Sequence, residues 1–372
     1  MAEPLRILEI YPKEDYFTGA AIQLRELVLG LKAHGHDVTV ATRPSEIWVE
    51  KMRAAAVPYV PLPMASEVDV RSVKALVRIL RSRRIQVVHA QKGRARTLAL
   101  IAGLFVRIPV LVLNRGVSFP LDPFNRLGYT TRRVTAIVAV CASIKEGLVR
   151  QGVAAEKIEV IYSGTDTERF HPGVDGGAVR RELGLGAEHF LVTQIGIRSW
   201  KGNDDVLDAM AAVADRLPDA RLLFVGANEA KAKILYDKAA ARKIRDRVRV
   251  FLYREDIPQI LKASDVTVDA SYAGLGLTGT LRESLAVGTP VIGTDLEGNP
   301  ELVRHRQTGL LVKPRDPAGL ADALGAVAAD PERARAMGRA GRELVERQFS
   351  TRAKVERTEA LYRRLVAART GT

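Results

Sequence analysis

The sequence predicts an α/β fold in which two doubly wound parallel sheets follow one another along the chain. Short apolar or β-branched runs alternate with longer amphipathic segments from end to end, as crossover helices between parallel strands require. A turn-rich stretch, YSGTDTERFHPGVDGG (162–177), interrupts that alternation, which then restarts. With 372 residues, 47% hydrophobic and 27% charged, each half has enough chain and apolar surface for a core of its own.

In the first half the strand runs are RILEIYP (6–12), DVTVATR (37–43), VPYVPLP (57–63), QVVHAQ (86–91), PVLVLN (109–114), AIVAVCA (136–142) and IEVIYSG (158–164). Helices fill the gaps: AIQLRELVLGLKAHG (21–35) sets Ile22, Leu24, Leu27, Val28 and Leu31 near one face and stops at Gly35, a glycine C-cap. The second half repeats the pattern with FLVTQIGI (190–197), RLLFVGA (221–227), VRVFLY (248–253), VTVDAS (266–271), PVIGTD (290–295) and TGLLV (308–312). From residue 316 onward the chain reads as successive helices without strands. The expected domains are 1–168, 169–350 and a closing segment, 351–372. Open parallel sheets bind ligands at the carboxyl ends of their strands, and two such sheets facing each other would place a site in the cleft between them. The residues that follow the strands are therefore the candidates.

Composition excludes several classes. The longest apolar stretch, TLALIAGLFVRIPVLVL (97–113), is cut by Arg107 and Pro109, and MAEPLRILEI lacks a signal-peptide design, so a cytosolic location is expected. The single cysteine, Cys141, cannot form an internal disulfide and reads as a buried strand residue. No Cys/His cluster has zinc spacing and no Asp-x-Asp occurs, so neither a structural nor a carboxylate-bound metal is implied. Residues 51–150 hold 18 basic and 4 acidic side chains, and this stretch alone matches the +14 excess of the whole chain. Such a region attracts polyanions: nucleic acid, a phosphate-bearing substrate or anionic lipid headgroups. Individually, many of these cations also fit the solvated outer faces of helices.

Three loops carry candidate chemistry. After the first strand, YPKEDYFTGAAIQL puts Gly19, Ala20 and Ala21 at a helix start, where a ligand can approach the backbone closely, although small residues there also serve structure alone. It is not a dinucleotide fingerprint. In QIGIRSWKGNDD, Gly196, Arg198, Lys201 and Gly202 stand between a strand and a helix; two cations three residues apart suit a diphosphate, and the same residues suit a solvated turn equally well. In VTVDASYAGLGLTGTLRESLAVG, a glycine-rich loop leads to a helix whose N-terminal amides would take a phosphate near Thr278, Gly279 and Thr280. Glu283 is placed in the first turn of that helix, as a favourable charge or as an acceptor for a vicinal diol such as ribose.

Together these stretches resemble the retaining nucleotide-sugar glycosyltransferases of family 4, with the two-Rossmann GT-B architecture. The resemblance rests on RESLAVGTPVIGTDLEGNPELVRHRQTGLLVKPRDPAGLADAL, RSWKG, TGAAIQLRELVLGLKAHGHDVTVAT, IQVVHAQKGRA and EKIEVIYSGTDTERFHP, which cover nearly the whole chain. It implies a final helix that packs back on the first domain. It implies that Arg198 and Lys201 hold the donor diphosphate with catalytic effect, that Glu283 binds the ribose, and that Leu252, Tyr253 and Arg254 border the base. Gly19 and Ala20 would approach the transferred group, while His89, Lys92, Arg115 and Gly116 would line the acceptor side. The chain departs from the family pattern at Leu275, where the first of two glutamates is expected, and at Arg115–Gly116, where many relatives carry His-Gly.

The function so implied is metal-independent transfer from a UDP- or GDP-sugar, with retention of anomeric configuration, to a hydroxyl of a lipid-linked or lipopolysaccharide-type envelope glycan. No cofactor is required beyond that co-substrate. Peripheral contact with the anionic inner face of the cytoplasmic membrane follows from the charge. Two alternatives are a non-catalytic nucleotide-sugar binder of the same fold, which Leu275 favours, and a nucleic-acid-binding protein. The last rests on charge alone, because aromatics make up 5% of the chain and no stacking platform accompanies the cations.

Overall fold

The structure, a computed structural model, describes residues 3–274 and 276–370. Each of the thirteen runs picked out in the sequence forms a strand. In the first unit these are β1 (Arg6–Tyr11), β2 (Asp37–Thr42), β3 (Tyr59–Pro61), β4 (Val87–Ala90), β5 (Val110–Arg115), β6 (Ala136–Ala139) and β7 (Ile158–Val160). In the second they are β8 (Phe190–Ile195), β9 (Ala220–Val225), β10 (Val248–Phe251), β11 (Val266–Asp269), β12 (Val291–Thr294) and β13 (Leu310–Val312). All pairings are parallel. The orders are β3-β2-β1-β4-β5-β6-β7 and β10-β9-β8-β11-β12-β13. Each sheet thus reverses its winding once, between β1 and β4 and between β8 and β11, and those reversals are the switch points at which open α/β sheets take ligands.

The strands read as near-continuous apolar runs because both faces of each sheet are covered. Along β1, Leu8 and Ile10 join one core cluster while Ile7 and Tyr11 join the cluster on the opposite face. In the second unit Leu222 and Phe224 of β9 pack on one side, Leu223 and Val225 on the other. Cys141 is fully buried in the first core. Among the described residues no helix is long and apolar enough to cross a membrane.

One unit takes in the chain up to Gly164 together with everything from Thr351 onward, and the other spans Thr165–Ser350. The closing helix, Thr351–Thr370, therefore belongs to the first unit, where it packs on the Gly19–Ala33 helix. Gly30 permits this approach, since a Cβ there would stand 2.4 Å from a Val355 methyl. Lys354 donates to the Gln23 carbonyl at 2.6 Å, Thr351 to Glu26 at 2.8 Å, and the Gln23 amide group bonds Gly164 N–H and C=O at 2.8 and 2.7 Å. A second clasp joins Glu359 to His34, His36 and Arg363 at 2.6, 3.2 and 2.7 Å.

Candidate active site

In the second unit the loops after β8 and β11, neighbouring strands at the switch point, are locked together. Gly202 makes this fit: its φ is +63°, and a Cβ would fall 2.1 Å from the Ala270 carbonyl oxygen. Tyr272 donates its hydroxyl to Ser199 C=O at 2.6 Å and its backbone amide to Trp200 C=O at 3.0 Å. The Gln194 side chain holds Lys201 C=O at 2.6 Å, and the Arg315 guanidinium covers the Tyr272 ring at 4.1 Å. These contacts fix the backbone from which Lys201 projects.

Lys201 Nζ lies 2.5 Å from Asp269 Oδ2, and Asp269, the last residue of β11, is 1% exposed. A buried carboxylate needs a cation, so this pair sets the lysine in place before any ligand arrives, with further N–H donors still available on the ammonium. Asp269 was not singled out from the sequence. Its signal is a charged residue ending an otherwise apolar strand beside a glycine-rich loop. Arg198 is held differently: it is exposed, with its guanidinium 5.6 Å from the Trp200 ring centre. Gly196 has φ +93°, and a Cβ built there would stand 3.6 Å from Lys201 Cε.

The helix after the glycine-rich loop runs Gly279–Ala286, with Thr278 as N-cap in extended conformation and its side chain making no cap hydrogen bond. The Thr278 hydroxyl donates instead to Asn299 Oδ1 at 2.8 Å, and the fully buried Asn299 donates to Thr294 C=O at 3.1 Å. The hydroxyl expected to help a phosphate is thus committed to the protein, while partly exposed Thr280 is not so buried. Glu283 is the fifth helical residue and stands in the second turn, not the first, because the helix begins at Gly279 rather than nearer Leu281. Its carboxylate folds back toward the helix start: a Cβ on Gly279 would lie 3.8 Å from Glu283 Oε1. Leu275, the departure from the family pattern, lies outside the described residues.

In the segment after β10, Leu252 and Tyr253 are 43% and 66% exposed. The Arg254 guanidinium is engaged by carboxylates of its own unit. It bonds Asp256 at 2.8 and 2.7 Å and Glu182 at 2.7 and 3.0 Å, which hold its charge firmly and push the Asp256 carboxyl below the usual range.

In the first unit Gly19 and Ala20 are exposed at the start of the Gly19–Ala33 helix, and a Cβ on Gly19 would meet nothing within 4 Å. Packing leaves the space above that turn open. Nearby, Asp15 accepts from Tyr11 Oη at 2.7 Å and from Thr18 Oγ1. Burial works against the Asp15 charge, but these two donors with Lys13 and Lys92 outweigh it and hold the carboxyl below its ordinary value. Lys92 is half-buried over the Tyr11 ring at 5.6 Å, and burial, then Lys13, shift it downward. The pair Lys13 and Asp15 adds a charged cluster beside Lys92 that the sequence reading missed, although KED in that loop marks it.

Arg115 ends β5, reaches the Phe119 carbonyl and lies 5.7 Å from the Tyr129 ring centre, with Gly116 exposed beyond it. His89 is not an acceptor-facing residue. It is 2% exposed inside β4, with Nδ1 2.6 Å from Tyr362 Oη and 3.2 Å from Glu9 Oε1. Glu9 is wholly buried and also accepts from Gln91 at 2.7 Å and Tyr362 at 3.0 Å. Side chains on alternate positions of a strand point to opposite faces, and this register sends His89 beneath the closing helix. Among the described residues no group of three or more His, Cys, Asp or Glu is placed to hold a metal ion.

Residues 17–169 match the family described as Glycosyltransferase Family 4, and residues 179–344 match Glycosyl transferases group 1. A curated relative, the UDP-Gal:alpha-D-GlcNAc-diphosphoundecaprenol alpha-1,3-galactosyltransferase of Escherichia coli, is 26% identical over 329 residues, 84% of either chain. The crystal structure of a glycosyltransferase from Rickettsia africae superposes with a TM-score of 0.90 over 98% of this chain and 99% of that one, at 18% identity. Anabaena HepE in complex with UDP gives 0.84 over 96% and 99%, at 20% identity. At such identities the two structures speak for the fold. With one family matched in each half, the chain belongs to the glycosyltransferases of group 1 and family 4 and has their GT-B fold.

Proposed function

We propose that the protein transfers a sugar from a nucleoside-diphosphate-sugar to a hydroxyl of a lipid-linked or lipopolysaccharide-type envelope glycan, with retention of configuration and without a metal ion. Lys201, Arg198 and the helix-start amides at Gly279 and Thr280 stabilise the leaving diphosphate, and Glu283 accepts from the ribose hydroxyls. The bond between the anomeric carbon and the phosphate oxygen breaks, and the acceptor oxygen bonds that carbon on the same face. The acceptor proton passes to the departing phosphate oxygen. Fixed cations and helix-end amides supply the electrostatic help as negative charge gathers there. A UDP-sugar is the preferred donor, in keeping with UDP in HepE and the UDP-Gal in the name of the E. coli relative. The undecaprenol in that name supports a lipid-linked acceptor.

The observation that carries this reading is the Lys201–Asp269 pair at the β8/β11 switch point. Thermal-shift screening with UDP-, GDP- and ADP-sugars tests it, since a ligand of the folded state raises apparent stability. Stabilisation by one nucleotide class, undiminished by EDTA and lost in Lys201→Ala, is expected. No stabilisation by any of them would reject the site. A non-catalytic nucleotide-sugar binder is the second reading, favoured by Leu275 at the position of the first glutamate; donor hydrolysis by the purified protein would reject it.

A further inference from the structure

We infer that the outer face formed by the Gly93–Ala102 and Pro123–Thr130 helices of the first unit docks on an anionic phospholipid bilayer. Four large apolar side chains meet there with most of their surface in solvent: Leu104, Phe105 and Phe124 are each 61% exposed and Leu127 is 68% exposed. Three of them, Leu104, Phe124 and Leu127, line a single groove of about 430 Å³ between the two helices, floored by Leu100 and Ile101. Scattered exposed apolar residues need no explanation, but a contiguous set around one groove marks a surface with a partner.

The charge around it selects the partner. Residues 93–133 contain seven arginines and one carboxylate, Asp122. Arg133 closes the groove and, with Arg107 and Arg132, lines an adjoining hollow of about 400 Å³. Arg81 joins them, donating to the Phe105 carbonyl at 2.9 Å. An apolar strip rimmed by arginines matches the two layers of a lipid leaflet, with acyl chains for the strip and phosphates for the rim. A nucleic acid would leave Leu104 and Leu127 in water, and an acidic protein would not need four adjacent apolar protrusions. The Gly93–Ala102 helix starts at the carboxyl end of β4, beside Lys92, and ends at the opposite edge of the sheet before β5. The groove therefore runs along the flank of the domain.

This inference extends the proposed lipid-linked acceptor, and its test is separate from donor chemistry. Flotation of the full-length protein with phosphatidylcholine vesicles, with and without phosphatidylglycerol, is measured in the absence of donor. We expect salt-sensitive binding to the anionic vesicles only. Arg132→Gln with Arg133→Gln should lower the partition coefficient by about fivefold per residue. Leu104→Ser with Leu127→Ser should lower it by roughly tenfold or more. Ile234→Ser, at an exposed apolar residue of the second unit (53%), should leave it unchanged. The thermal transition and far-UV circular dichroism of each variant report that it is folded, and UDP-induced stabilisation separates the two readings: it is retained in all of these variants, and its loss in wild type with vesicle binding intact would strike only the transferase proposal. Equal binding to neutral vesicles, no binding, or groove variants that bind as wild type would overturn the docking surface. So would concentration-dependent dimers in sedimentation velocity that the Leu104→Ser, Leu127→Ser variant abolishes, which would assign the groove to a second copy of the chain.

Discussion

Replacing Lys201 separates its structural task from its proposed chemical one. In Lys201→Met, Asp269, 1% exposed, keeps only the Ser271 backbone amide at 3.2 Å as a donor among the described residues. Removing one partner of a buried ion pair costs about 3–5 kcal/mol, and the lysine's remaining 16% exposure favours the lower end, about 3 kcal/mol. For a unit the size of 165–350, each kcal/mol shifts Tm by about 2–4 °C, so its transition should fall by about 6–12 °C. The loss of an ammonium hydrogen bond to a phosphate, about 1.5–3 kcal/mol, weakens donor binding by roughly 10- to 150-fold. Asp269→Asn completes a double-mutant cycle. In the double variant the orphaned charge is gone, so at least about 1.5 kcal/mol of stability should return as a coupling energy. Affinity should not return, because the ammonium is still missing. Calorimetric Tm and titration with UDP give both quantities on the same samples. Donor affinity that recovers together with Tm in the double variant would refute direct contact between Lys201 and the donor.

Gly202→Ala adds a Cβ 2.1 Å from the Ala270 carbonyl at a left-handed residue, so about 2–3 kcal/mol of stability and most UDP binding should be lost, read by Tm and titration. Thr278→Val leaves the buried Asn299 Oδ1 without its 2.8 Å donor, costing about 1–3 kcal/mol in Tm while donor affinity stays within about threefold; a large affinity loss would return the hydroxyl to the site. For Glu359, burial opposes the charge but His34, Arg363 and His36 outweigh it and hold the carboxyl at about 2, below its ordinary 4.5. A depressed carboxylate stabilises the native state above its unfolded value and loses that contribution as pH falls through the folded one, here between about 4.5 and 2. Trp48 fluorescence in acid titrations should show the first unit of Glu359→Gln less stable at neutral pH and less pH-dependent across that window.

The fold was legible because it depends on pattern. Every strand of both sheets is a short apolar run between turn signals, and in a sheet covered on both faces nothing more is needed to mark it. Gly35 ended its helix as read, at φ +87°, for the same local reason. Positions that depend on pairing across the fold were not legible. Thr278 looks like a phosphate ligand until Asn299, twenty-one residues away, takes its hydroxyl. Nothing near Arg254 in the sequence shows that Glu182, seventy-two residues away, takes its fork. Glu283 slipped by a turn because glycine-rich loops disguise where a helix starts, and Gly279 already counts as helical.

His89 and Lys201 show why burial decides between site and scaffold. Both are basic groups near the ends of central strands, and both face a carboxylate held in the interior: Glu9 at 3.2 Å and Asp269 at 2.5 Å. Around His89 the carboxylate, Gln91 and Tyr362 surround Nδ1, and the ring itself is 2% exposed, so whatever the group does is spent on fastening the closing helix to β1. Lys201 keeps 16% of its side chain in solvent on a loop at a switch point, and an ammonium has donors to spare after Asp269 has taken one. The difference is one of geometry rather than residue type. A cation anchored from behind by a buried carboxylate, and partly exposed in front, is already oriented for an anion and loses little side-chain entropy when one binds, which is the ground on which Lys201 is proposed to stabilise a leaving diphosphate.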